Sequence, residues 1–389
     1  MGMKHPVYMD HNASTAVLPA VRKAVARALE MTGNASSVHG AGRAARKVIE
    51  DARDRVAALV RARSADVVFT SGGTEANNLA IQGFEQRPGG ALVLASAVEH
   101  TSILKASPNI ETIPVDREGV INLEALDMML ADAFSASRTH PVLVSVMLAN
   151  NETGIIQPVS EVAAIAERHG ALVHCDAVQA AGKIPVDITS LGVHMLSLSA
   201  HKIGGPAGIG SLVLAGDLAN ALNLSAVIKG GGQERGRRAG SENLPGIAGF
   251  GVAAEEALKN LPEFSNLAVR RDRIEEELGR YATTHVFGAG TSRLANTCCL
   301  TMPGVAAERQ IIAFDLAGIS LSAGAACSSG KVEPSHVLAA MGVAVDEADT
   351  AIRVSLGWNT TDQDINAFLA AWREIYDRAE TATNDGVAA

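Results

Sequence analysis

Several short polar segments of this chain carry side chains that could do chemistry, and each follows a run of apolar residues. They are Thr70-Ser-Gly-Gly-Thr-Glu-Ala-Asn, Glu99-His100, Asn150-Asn-Glu-Thr-Gly, Asp176-Ala-Val-Gln179 and Ser199-Ala-His201-Lys202. The first is a Gly-rich turn opening a helix. Its free backbone N–H groups and the Thr74 hydroxyl suit a phosphate, although such a turn also serves as a plain tight connection. Neither Gly-Lys-Ser/Thr nor Gly-x-Gly-x-x-Gly stands there, which argues against a nucleotide. Asp176, at the tip of an apolar run, is costly to keep charged unless a cation meets it; the plain alternative is an Asp that caps the next helix. Lys202 lies among apolar and glycine residues, where partial desolvation lowers the pKa of an amine and makes it nucleophilic. His100 could act as acid or base, or be a solvated loop histidine. Cys327 stands apart, in a stretch from 318 to 330 that is almost entirely Gly, Ala and Ser. Cysteines kept for packing sit among large apolar neighbours, so Cys327 reads as a thiol presented to something.

The elements that must position these groups follow from periodicity. Ala45, Val48, Ile49, Ala52, Val56, Leu59 and Val60 share a helical face, and a second helical face starts from Asn77. Short apolar runs at 67–69, 91–95, 141–149, 171–175, 193–198 and 210–214 read as buried strands. Ser160 is expected to cap a helix that Gly170 closes. Strands apolar on both faces and separated by helices imply βαβ crossovers, hence a mainly parallel sheet covered on both sides. From about Ala257 the pattern changes to charged helices and shorter strands. It ends in a helix with Ile365, Phe368, Leu369, Trp372 and Ile375 on one face and a loose tail over Thr381 to Ala389. In open α/β sheets chemistry gathers beyond the carboxyl ends of the strands, where the polar segments above all stand.

Composition narrows the function. The 389 residues carry 33 basic and 42 acidic side chains, a formal charge of −9, with no long run of either sign. Neither nucleic acid nor an anionic membrane is expected as a partner. The apolar runs are far too short to span a bilayer, and the first residues lack a signal-peptide stretch, so the cytoplasm is expected. Four cysteines form neither a disulfide framework nor a Cys-x-x-Cys zinc pattern. Cys175 reads as buried filler, and the adjacent Cys298 and Cys299 would face opposite sides of a strand.

A phosphate cradle, a buried carboxylate, a histidine and a lysine, each after a strand, are the groups that pyridoxal phosphate requires. With these residues in view the chain resembles the NifS/IscS-like cysteine desulfurases of the class V aminotransferase family. The resemblance rests on Tyr8-Met-Asp-His-Asn-Ala-Ser-Thr, Gly33-Asn-Ala-Ser-Ser-Val-His, Phe69-Thr-Ser-Gly-Gly-Thr-Glu-Ala-Asn-Asn, Glu99-His100 and Asn150-Asn-Glu-Thr-Gly. Further along come His174-Cys-Asp-Ala-Val-Gln, Ser199-Ala-His-Lys, Gly230-Gly-Gly-Gln-Glu-Arg-Gly-Arg-Arg-Ala-Gly-Ser-Glu-Asn, Ala323-Gly-Ala-Ala-Cys-Ser-Ser-Gly and Ile352-Arg-Val-Ser-Leu-Gly. These segments run in order over nearly the whole chain.

The resemblance implies the α/β fold of type I PLP-dependent transferases: a large domain, 15–256, with a mainly parallel seven-stranded sheet, and a smaller α+β domain from 1–14 and 257–389. It implies that Lys202 carries the cofactor, that Asp176 pairs with the pyridine nitrogen, and that His100 stacks on the ring as acid or base. Gln179 and Asn151 would bond the phenolic side, and Gly73, Thr74, Ser199 and His201 the phosphate. Ser241, where many relatives have Thr, would reach the phosphate of the neighbouring subunit in a homodimer. Arg353, with Asn151, would hold the substrate, L-cysteine, by its carboxylate. The Cys327 thiolate would take the substrate sulfur as a persulfide, leaving alanine, and pass it to an iron–sulfur scaffold or another acceptor protein. No metal is expected in the fold itself, with Cys327 a transient iron–sulfur cluster ligand at most. A selenocysteine lyase, another class V enzyme and a non-catalytic assembly scaffold are the alternatives. Two departures stand out. The Ala13-Ser-Thr-Ala turn lacks the family's Thr-Thr-Pro, and Cys175 stands where most relatives have an apolar residue. Arg237 and Arg238 could bind substrate or partner but read first as a solvated basic turn.

Overall fold

Runs of β-branched and leucine residues produce strands such as Val142–Ser145, Met195–Ser199 and Gly210–Leu214 whose every position is buried, and these form the centre of the molecule. The computed structural model describes residues 6–86, 90–135, 140–216, 224–323 and 334–387; Cys327, expected to be the reactive thiol, lies outside them. The strands are, in chain order, β1 (Val7–Tyr8), β2 (Val67–Thr70), β3 (Leu92–Ser96), β4 (Ile110–Ile113), β5 (Val142–Ser145) and β6 (Leu172–Asp176). They continue as β7 (Met195–Ser199), β8 (Gly210–Leu214), β9 (Thr297–Thr301), β10 (Ile319–Ser320), β11 (Ser322–Ala323) and β12 (Ala351–Ser355). Seven of them form one sheet in the order β2-β8-β7-β6-β5-β3-β4.

Within that sheet β4, β3, β5, β6 and β7 run parallel, whereas β8 is antiparallel to both its neighbours. The reversal has a simple cause. Only residues 200–209 separate β7 from β8, too few for a crossover of a dozen or more residues. The helix Gly40–Leu59 covers one face with Ala45, Ile49, Ala52 and Val56, and His39 caps its start by accepting from the Gly42 N–H at 3.2 Å. The helix Gly73–Glu85 buries Leu79, Ala80, Ile81 and Phe84 together with residues of β3 and β8, in a separate apolar cluster.

A second apolar core forms around β9 and β12, where Cys298, Leu300, Ile352 and Val354 meet Phe368 and Trp372 of the last helix and Val7 and Met9 of the N-terminal segment. Cys298 and Cys299 enter different clusters, as opposite faces of β9 require. Two sequence expectations are corrected. Pro158, not Ser160, precedes the first residue of the helix Val159–His169, so Ser160 lies inside the first turn, while left-handed Gly170 (φ 74°) does close it. The C-terminal helix runs from Asp362 to Val387, so residues 381–387 of the stretch expected to be a loose tail are helical.

The loop carrying Ser241 is tethered from within. Glu234 and Arg235 adopt left-handed conformations, φ 46° and 58°, that are uncommon for residues with a side chain. Glu234 is buried. It accepts two bonds from the Arg53 guanidinium, at 2.7 and 2.9 Å, and one from the Phe69 N–H of β2 at 2.9 Å. Arg53 also reaches the Val67 carbonyl at 2.8 Å. A cavity of about 640 Å³ opens beside this pair, remote from the strand-end residues that carry the chemistry. Removing one partner of a buried pair leaves the other charge uncompensated. Glu234→Gln is therefore expected to destabilise the fold by roughly 3 kcal/mol, read as a lowered denaturation midpoint. An unchanged midpoint would show that the loop does not depend on this tether.

Candidate active site

The carboxyl ends of the parallel strands deliver the expected residues to one place. Asp176 is the last residue of β6 and only 6 % exposed. Its carboxylate accepts from Asn77 Nδ2 at 2.7 Å and from the Val178 N–H at 2.9 Å, so hydrogen bonds and not a capped helix satisfy it. Asn77 also donates to the Ser102 hydroxyl at 2.9 Å, and Ser102 Oγ lies 2.7 Å from His100 Nδ1. The Ser102 N–H donates to the same Nδ1 at 3.1 Å. A backbone N–H can only donate, so Nδ1 is an acceptor and the neutral ring of His100 holds its proton on Nε2. Burial lowers the pKa of His100, with Asp176 opposing and Lys202 and His336 reinforcing the shift. His100 is thus held at the site by Ser102 through Nδ1, while the residue keeps an exposed face.

Lys202 ends the short turn that follows β7. Its ammonium donates to the backbone carbonyl of Asn12 and, at 3.0 Å, to that of Ala13. Desolvation, then the nearby Arg353, bring its pKa down to about 8, against the smaller pull of Asp10 and Asp176. At pH 7 roughly a tenth of the amine is therefore free to attack a carbonyl, far more than for an ordinary lysine. The N-terminal turn that departs from the family pattern packs here: Thr15 N–H donates to the His201 carbonyl at 3.0 Å, and Ser14 Oγ lies 3.4 Å from His201 Nδ1.

The expected phosphate cradle can be tested on its own atoms. The helix Gly73–Glu85 starts without a side-chain cap, leaving backbone donors free. The buried Ser199 hydroxyl has no hydrogen-bond partner. A Cβ at Gly73 would come 2.8 Å from Val178 Cγ2. Thr74 is exposed in the first turn. An orphaned hydroxyl facing a bare helix start is what a phosphate would satisfy, so these residues fit pyridoxal phosphate. Ser241 lies exposed on the loop beyond. The solvated reading of the basic turn is corrected for Arg238, which pairs with Glu75 at 2.9 Å.

Arg353, on β12, is buried between Asp10, at 2.7 Å, and the Asn151 carbonyl, at 3.1 Å. A substrate carboxylate there would compete with Asp10 for the guanidinium. Sequence reasoning missed the residue that joins these parts, Asn12. Its side chain donates to the Asn151 carbonyl at 3.1 Å and Thr297 Oγ1 at 2.9 Å, and its N–H donates to Ser355 Oγ at 2.9 Å. Gln179 spends its amide here, giving Nε2 to the Asn12 carbonyl at 2.8 Å and accepting from Lys183 at 2.8 Å. Lys183 was also missed; its signal was the four-residue spacing from Gln179 in a turn. A cavity of about 60 Å³ borders Lys202, Lys183, His11 and Trp358. Among the described residues no group of His, Cys, Asp and Glu could hold a metal ion, and no helix is long and apolar enough to cross a membrane.

Buried histidines set the acid limit of the fold. Burial lowers His174 to about 3 and His11 and His201 to about 4, from 6.5. The unfolded chain binds these protons more readily, so their contribution is whole above pH 6.5 and is lost as pH falls toward 4. A melting temperature that declines over this window is the expected result. One that stays flat down to pH 4 would mean that these rings are not held neutral.

The chain is similar to known proteins over nearly its whole length. Residues 7–368 match the family model described as aminotransferase class-V. A cysteine desulfurase IscS of Dictyoglomus turgidum is 39 % identical over 97 % of this chain and 96 % of its own. The X-ray structure of a NifS-like protein from Rickettsia africae superposes with a TM-score of 0.87, at 36 % identity, covering 96 % of this chain and 100 % of that one. A structure described as SspA in complex with cysteine superposes with a TM-score of 0.75, at 29 % identity, over 90 % of this chain and 98 % of that one. With its fold, its strand-end residues and its near-complete coverage by these relatives, the chain belongs to the class-V aminotransferase family, among the pyridoxal-phosphate-dependent cysteine desulfurases of the NifS/IscS-like group.

Proposed function

We propose that this chain converts L-cysteine to L-alanine and carries the removed sulfur on Cys327 as a persulfide. The observation that supports it most is the desolvated Lys202 amine at the end of β7, in one electrostatic cluster with Asp176, His100 and Arg353. Pyridoxal phosphate, when bound, supplies an electron-accepting ring beside Lys202 that makes the substrate Cα proton acidic. Lys202, once free, takes that proton and returns it. Asp176, fixed by Asn77 and Val178, offers its carboxylate to the pyridine N–H. Gly73, Thr74, Ser199 and His201 receive the phosphate, and Ser241 of a second copy completes that cradle in a homodimer. Arg353 binds the α-carboxylate with Asn151 beside it, and the Nε2–H of His100 donates toward the reacting groups.

The sulfur step balances without an outside oxidant. The Cys327 thiolate attacks the substrate Sγ, an S–S bond forms, the Cβ–S bond breaks, and its electron pair stays with the carbon fragment. Protonation of that fragment yields alanine, so cysteine and the Cys327 thiol become alanine and a persulfide. An acceptor protein, such as an iron–sulfur scaffold in the cytoplasm, then takes the sulfur. Purified protein is expected to be yellow and to form alanine and sulfide in equal amounts from L-cysteine with a thiol reductant. Alanine without sulfide, or neither product, would count against the reading.

A further inference from the structure

Lys183 is a buried amine that the reaction above does not use. It is 5 % exposed, and its Nζ donates to two amide oxygens, Asn12 Oδ1 at 2.9 Å and Gln179 Oε1 at 2.8 Å. Both acceptors belong to residues that meet at Lys202. The Asn12 carbonyl accepts from Lys202 Nζ, and the same oxygen accepts from Gln179 Nε2 at 2.8 Å. Asn296 Nδ2 adds a second donor to Asn12 Oδ1 at 3.1 Å.

An amide has one acceptor and one donor end, and what holds the oxygen decides where the nitrogen points. With Lys183 on its oxygen, Gln179 must turn its NH₂ toward the Asn12 carbonyl. With Lys183 on the Asn12 side-chain oxygen, the Asn12 NH₂ must turn to the Asn151 carbonyl and Thr297. The Asn151 carbonyl in turn accepts from Arg353. We propose that Lys183 is a positioning residue for the cofactor lysine: by fixing the amides of Gln179 and Asn12 it holds in place the carbonyl that receives the Lys202 amine. The inference rests on Lys202 being that lysine.

The charged groups around Lys183 agree with this role. Burial, and then Lys202 and Arg353, push the Lys183 pKa well below 10.5, and His11 on the N-terminal turn feels its charge. Two amide oxygens receive the N–H donors of Lys183.

The test reads Lys202 directly. On the full-length chain stripped of cofactor with hydroxylamine, the pH dependence of Lys202 modification by an amine-reactive reagent gives its midpoint by peptide mass spectrometry. Lys183→Met is expected to lower that midpoint by about one unit, a tenfold change, because the ammonium loses a held acceptor. An unchanged midpoint, or a raised one as loss of a like charge would give, overturns the proposal. Gln179→Ala should lower the midpoint similarly, and the double variant should add no further shift; additive shifts overturn the coupling. If Lys183→Met does not fold, Gln179→Ala alone must lower the midpoint, and failure to do so overturns the proposal. Borohydride reduction of the yellow wild-type protein separates the two ideas. A label on another lysine overturns the reading of Lys202 and the proposal with it, whereas a label on Lys202 with an unmoved midpoint overturns the proposal alone.

Discussion

Lys202→Ala is expected to leave purification colourless and to form alanine from L-cysteine roughly 10⁴-fold more slowly, the upper range for a positioned acid–base group. The expectation follows from where the amine sits. Its pKa of about 8 arises from burial and Arg353, and among the described residues no other lysine combines that depressed basicity with a place at the end of β7 beside Asp176. Lys183 is nearby but buried, with its nitrogen engaged by two amides. Absorbance of the bound cofactor and an alanine assay check the prediction together. A yellow Lys202→Ala protein with wild-type turnover would sink the assignment. Lys202→Arg keeps the charge without a nucleophilic amine and is expected to be as inactive.

Cys327→Ser is expected to remain yellow, because no residue assigned to the cofactor is altered, yet to lose transferable sulfur. A serine hydroxyl is far too basic as an alkoxide to replace a thiolate at neutral pH. The other cysteines cannot stand in. Cys175, Cys298 and Cys299 are all buried, and desolvation raises each thiol, Cys299 to about 12 and the other two well above 9.0. In the wild-type protein treated with L-cysteine, peptide mass spectrometry should find one added sulfur atom on the Cys327 peptide and none on the peptides holding the buried three. A persulfide on one of those, or an unimpaired Cys327→Ser variant, would remove Cys327 from the reaction.

Much of this site was legible because strand ends advertise themselves. An apolar run broken by Asp176, by Glu99-His100 or by Ser199-Ala-His-Lys marks the place where a buried strand meets a polar cleft, and those residues do converge. Local spacing also predicted the helix Gly40–Leu59 and the divided burial of Cys298 and Cys299. What stayed hidden depends on contacts between distant segments. Asn12 reaches residues more than a hundred positions away, including Lys183, Thr297 and Ser355. Arg238 looked solvated because Glu75, its partner, is 163 residues distant.

The sequence by itself determined the order of elements, the apolar faces, and the residue types a pyridoxal-phosphate site needs, since periodicity and strand-end chemistry are local properties. Only the tertiary structure decided how those groups are held. It set the proton of His100 on Nε2 through Ser102, brought Lys202 to the Asn12 carbonyl, and placed Lys183 where it orients two amides. The physical reason is that a pKa, a tautomer or an amide orientation is fixed by burial and by hydrogen-bond partners, and here those partners come from elsewhere in the chain.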